Sequence, residues 1–125
     1  MTVKRKKVNQ MANPLKAQVD INLGGTDYKA RLTIDAIMQI EEKLNCGILK
    51  LITRIADSDV RMTDLISVLT PALRGGGNDI SEKDVKKIVS DSGIINTTKV
   101  VAELLAQSLQ VEDQEEDAKK KEDLN

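Results

Sequence analysis

Residues 18–32 read QVDINLGGTDYKARL, and this stretch decides the fold. Val19, Ile21 and Leu23 alternate with Gln18, Asp20 and Asn22. After Gly24-Gly25, Tyr28, Ala30 and Leu32 alternate with Asp27, Lys29 and Arg31. Period-two alternation on both sides of a glycine pair predicts a β-hairpin with one apolar and one polar face. A two-residue turn at the glycines sets Ile21 opposite Tyr28 and Val19 opposite Ala30, with Asp20 facing Lys29 on the other side. Turn and pattern therefore agree on one register.

Beyond the hairpin the apolar spacing changes to that of helices. Thr33 is placed to cap a helix over about 34–46, in which Ile37, Ile40 and Leu44 recur before Gly47. A second helix over 48–56 carries Ile48, Leu49, Leu51, Ile52 and Ile55, a wide apolar stripe for so short an element. Thr63 is read as the cap of a third helix over 64–74, with Pro71 expected to kink or tighten its last turn before Gly75-Gly76-Gly77. Ser81-Glu82-Lys83-Asp84 resembles a capping box and opens a helix over 82–92. A last helix over 98–111 places Val101, Leu104, Leu105 and Leu109 on one face. The expected fold is α+β: an N-terminal two-stranded hairpin over 18–32 followed by a compact bundle of about five short helices. These form a single domain over 17–111, between a flexible basic arm over 1–16 and a disordered charged tail over 112–125.

Composition narrows the function. Histidine, phenylalanine and tryptophan are absent, Tyr28 is the only aromatic residue, and Cys46 is the only cysteine. The side chain most used for proton transfer near neutral pH and for metal ligation is therefore missing, and no intramolecular disulfide can form. No enzyme activity, catalytic residue, metal or cofactor is expected. Neither glycine cluster carries a phosphate-loop signature, so a turn and a helix stop account for them. Asp57, Asp59 and Asp64 suggest calcium but lack the ligand ladder and terminal glutamate of an EF-hand, which leaves an interhelical loop. No apolar run approaches a membrane span and no signal peptide is read at the N-terminus, so no membrane partner and a cytoplasmic location are expected.

The net charge of −1 hides a basic start, with Lys4, Arg5, Lys6 and Lys7 as a candidate flexible interaction arm, and an acidic end. No aromatic residue accompanies the arm, so nucleic acid is not the expected partner, although a small nucleic-acid-binding regulator stands as a third functional reading. The stronger signal is surplus aliphatic surface. Leu49, Leu51, Ile52, Ile55, Leu65 and Ile66 are the candidate lining of a groove for an apolar partner helix, against the plainer reading that they are core.

A family resemblance builds on these residues. The stretch Met11–Leu32, MANPLKAQVDINLGGTDYKARL, resembles the opening of the gene-transfer-agent type of phage tail assembly proteins. Ala36–Leu44, AIMQIEEKL, is similar to a helix of that family, and Leu73-Arg74-Gly75-Gly76 stands at a similar distance ahead of the Ser81 helix start. The resemblance covers about residues 11–110. It departs at Asn45-Cys46-Gly47 and in the polar Asp57–Met62 stretch. It implies a tail assembly chaperone that transiently binds the tape measure protein in the host cytoplasm and is absent from the mature virion. The tail tube protein and further copies of the chain are additional expected partners. The second reading is a structural tail tube component of the particle. The resemblance also suggests a start at Met11, and Lys119-Lys120-Lys121 suggests either a slippage site giving a longer product or a solvated tail.

Overall fold

A computed structural model describes residues 18–109. The basic arm with Lys4, Arg5, Lys6 and Lys7, the charged tail, and the last two residues of the expected final helix lie outside the described residues. The chain forms β1 (Val19–Leu23) and β2 (Thr26–Ala30), then α1 (Ile34–Leu44), α2 (Ile48–Ala56), α3 (Met62–Gly75), α4 (Glu82–Ser92) and α5 (Ile94–Ser108). Over the described residues the architecture is thus an antiparallel hairpin followed by five helices, mostly helical α+β.

The hairpin has the register its alternation predicts, with Val19 opposite Ala30, Asp20 opposite Lys29 and Ile21 opposite Tyr28. Gly24 and Gly25 have φ of 62° and 86°, the pair of positive values that a twist-matched two-residue turn needs. Ile21, Leu23 and Ala30 are buried, while Asp20, Asn22 and Lys29 face water. The exposed Asp20–Lys29 ion pair, 3.2 Å long, adds little to stability.

Helix α3 is the hub. It packs on α1, α4, α5 and β2, and Leu65, Val68, Leu69, Ala72 and Leu73 are fully buried along it. Each such leucine contributes about 1.5–3 kcal/mol through burial, so a core without phenylalanine or tryptophan is assembled from many aliphatic contacts. The C-terminal end of α3 lies directly on the outer edge of β2. The Arg31 N–H donates to the Ala72 carbonyl at 2.9 Å, and the Asn78 amide nitrogen donates to the Lys29 and Leu73 carbonyls at 2.7 and 2.9 Å. The approach is too close for a side chain. A Cβ at Gly75 would lie 2.5 Å from the Arg31 carbonyl oxygen, and one at Gly76 would overlap the Lys29 carbonyl oxygen. The glycines read from sequence as a stop and a loop thus form a helix-on-strand seam.

The boundaries of three helices differ from expectation. Helix α1 ends at Leu44 rather than 46, because Asn45 adopts the left-handed conformation (φ 55°, ψ 43°) and serves as the C-cap. Asparagine tolerates that conformation better than most residues. Helix α3 starts at Met62 with Arg61 as N-cap, so Thr63 lies inside it; the Asp64 carboxylate supplies the cap by accepting the Arg61 N–H at 2.8 Å. Helix α5 starts at Ile94 rather than 98. Gly93 (φ 87°, ψ 152°) turns the chain in a single residue, closing α4 and opening α5 at once. Thr33 caps α1 as expected, accepting the Ala36 N–H at 3.0 Å, and α2 spans the expected residues. Pro71 sits within α3, which continues to Gly75.

One polar device joins two helices and another closes the start of one. The Asp64 side chain, only 3% exposed, pairs with Arg54 at 2.7 Å, joining the end of α2 to the start of α3. Partial desolvation opposes the Arg54 charge, but attraction to Asp64 and Asp59 outweighs it and holds the Arg54 pKa above its ordinary value. At the start of α4, the Ser81 N–H donates to Asp84 at 3.0 Å and the Asp84 N–H donates to the Ser81 hydroxyl at 3.1 Å, completing the capping box. The Ser81 backbone N–H, and after it the Ser81 hydroxyl, hold the Asp84 carboxyl below its ordinary 3.8. A depressed carboxyl pKa stabilises the fold fully above the unfolded value, and that gain is lost as pH falls through the folded value.

Three outcomes are expected in thermal or denaturant unfolding. Gly76→Ala costs about 3 kcal/mol, whereas Gly47→Ala, with extended backbone and only a 3.9 Å contact, stays within about 1 kcal/mol. Asp64→Ala costs about 2 kcal/mol through lost cap and ion pair, while Asp59→Ala, removing a side chain 65% exposed, costs less than about 0.5 kcal/mol. Asp84→Asn is less stable than the parent at pH 7, and the difference closes as pH falls below 3.8.

Candidate functional site

The six residues expected to line a groove do not share one environment. Leu51 and Leu65 are fully buried and Ile55 is 8% exposed, so these three belong to the core. Helix α2 has one face turned inward, and its stripe is wide because the opposite face is apolar as well. Leu49 is 71% exposed and Ile52 is half-buried on that outer face. Ile66 is half-buried on α3 and lines a separate polar hollow of about 100 Å³ with Gln39, Lys43, Thr70, Arg74 and Glu82.

An apolar groove does exist, but its second wall is α5 rather than α3. It has a volume of about 250 Å³ and is lined by Ile52 and Ala56 from α2 and by Thr98, Lys99, Ala102 and Ala106 from α5, over a floor of Ile55 and Leu105. Small residues keep the outer walls low, and Ile95, 72% exposed, continues the α5 face by one turn. The wall falls within the helix expected over 98–111, but that expectation rests on the stripe of Val101, Leu104, Leu105 and Leu109 and assigns nothing to the other face. The signal was Ile95, Ala102 and Ala106 at helical spacing on the opposite face.

Local interactions hold α2 in place. The Glu41 carboxylate of α1 accepts the Ile48 N–H at 2.9 Å, capping a helix whose own N-cap, Gly47, has no side chain to do so. The Arg54–Asp64 pair secures the other end. Two of the acidic residues that suggest calcium, Asp59 and Asp64, instead face the Arg54 guanidinium. A shallow hollow of about 540 Å³ beside the α1–α2 turn is lined by Met38, Glu41, Glu42, Asn45, Cys46 and Gly47. Glu41 is already engaged there as a cap, and among the described residues no three His, Cys, Asp or Glu side chains are grouped to hold a metal.

A second apolar feature lies on α1. Ile34 is 63% and Met38 58% exposed, and residues four apart on a helix share a face. Asp35 and Glu42 flank this ridge in solvent. Among the described residues no helix is long and apolar enough to cross a membrane.

No curated protein and no solved structure matches the chain. A family model does match, over residues 16–111, and its description is "Phage tail tube protein, GTA-gp10". A tube protein is a structural part of the tail, which overturns the expectation of a tape measure chaperone that leaves the finished particle. With that match spanning the whole described fold and most of the sequence, the chain belongs to the phage tail tube protein family of the GTA-gp10 type.

Proposed function

We propose that this chain is a structural component of the tail tube in a phage or gene-transfer-agent particle, acting by self-association and contact with other tail proteins. The family match over residues 16–111 is the observation that carries this reading. The surface supports it in two places. Ile95, one turn beyond the α2–α5 groove, and Ile34 and Met38 on the α1 ridge stand in water, and contiguous exposed apolar surface marks sites of protein association. Neither place offers a titratable constellation for chemistry, and the sequence contains no histidine. In this reading the role is architectural rather than enzymatic, with assembly in the host cytoplasm.

A subunit of a tube has requirements that this fold meets locally. It needs a rigid body, which the α3 hub and its glycine seam with β2 supply. It also needs exposed contact surfaces whose loss leaves the fold intact, and Leu49, Ile95, Ile34 and Met38 stand outside the buried core. Quantitative mass spectrometry of purified tails tests the proposal. Peptides from this chain are expected in many copies per particle, in fixed ratio to other tail proteins. Their absence from purified tails, with the protein present in the lysate, would refute it.

A further inference from the structure

Resting on the tail tube reading, we propose that copies of this chain associate head to tail, the α1 ridge of one copy seated in the α2–α5 groove of the next. The ridge and the groove of each copy are built from different parts of the fold. α1 packs on α3, whereas the groove runs between α2 and α5. The two surfaces are complementary in form. Ile34 and Met38 project from α1, while Ala56, Ala102 and Ala106 leave space between α2 and α5. At 1.5 Å per residue, Ile34 and Met38 stand about 6 Å apart along α1 and the groove lining runs about 12 Å along α5 from Thr98 to Ala106, so the two ridge side chains fit within the groove.

They are also complementary in charge. The ridge is flanked by Asp35 and Glu42, and the one charged residue in the groove lining is Lys99. Among the described residues none of the three takes part in an ion pair. Glu103 is exposed one turn beyond Lys99 but lies outside the lining. Ridge against ridge would bring carboxylates together, and groove against groove would leave the projecting side chains of both ridges in water. Ridge into groove instead sets Glu42 and Asp35 toward Lys99 and covers both apolar surfaces. An interface between two different patches repeats from copy to copy, giving a ring when the rotation closes and a helical tube when it does not.

Cysteine cross-linking tests this in full-length chain carrying Cys46→Ser, which removes the only native thiol. Under mild oxidation, Met38→Cys mixed with Ala102→Cys is expected to give a disulfide-linked dimer. Each variant alone gives none, and the two substitutions in one chain give a ladder of higher oligomers. A dimer from Ala102→Cys alone, or from Met38→Cys alone, without a band specific to the mixture, overturns the proposal in favour of a two-fold contact. So does a chain that stays monomeric throughout. Charge exchange gives an independent readout: Glu42→Lys and Lys99→Glu each weaken association about ten-fold, and together restore it, with thermal stability unchanged. Failure of the double variant to recover overturns the Glu42–Lys99 contact. Repeating the cross-link in assembled tails separates the two ideas: a chain absent from tails contradicts the tube reading, while a chain present but not cross-linked contradicts only this interface.

Discussion

The end of α3 against the edge of β2 is the contact on which the rest of the molecule depends. Two glycines bring helix backbone onto strand backbone, and Ala72, Arg31, Asn78 and Lys29 satisfy polar groups that a sheet edge would otherwise leave open. A two-stranded hairpin alone is marginal in water, so this docking turns it into a wall of the core. Once α3 is fixed on the hairpin, its remaining faces receive α1, α4 and α5, and α2 closes over α5. The outer faces of α1, α2 and α5 are what remains for contact with other molecules.

Much of this fold was legible because its cues are local. The alternation in 18–32 and the Gly24-Gly25 turn agreed on one register, and that register is the one observed. Ser81 and Asp84 announced the start of α4 by a reciprocal hydrogen bond three residues apart. What could not be read depended on partners distant in sequence. Gly75 and Gly76 look like any helix stop until the carbonyls of Lys29 and Arg31 are placed across from them. Gly93 marked the end of one helix, but the start of the next at Ile94 was not read, and Ile95 was left off the α5 face. Leu51 and Ile55 were expected in a groove because a wide stripe on a short helix does not say which half faces inward.

The functional reading shifted for a related reason. A chain rich in aliphatic surface and lacking histidine, phenylalanine and tryptophan suits any contact made by shape and burial. Composition does not record how long such a contact lasts. The same exposed leucine and isoleucine side chains serve a transient chaperone or a permanent subunit, and the family match places this chain with tube proteins. Separate apolar surfaces, one projecting and acidic at its flanks, the other recessed with a lysine at its rim, suit repetition of one subunit.

A cryo-electron microscopy reconstruction of purified tails tests the account most directly. It should show density for this hairpin-and-five-helix fold repeating along the tail, with Ile34 and Met38 of each copy against Ala102 of its neighbour. A tube whose density is fully occupied by other proteins, with no place for this fold, would contradict it.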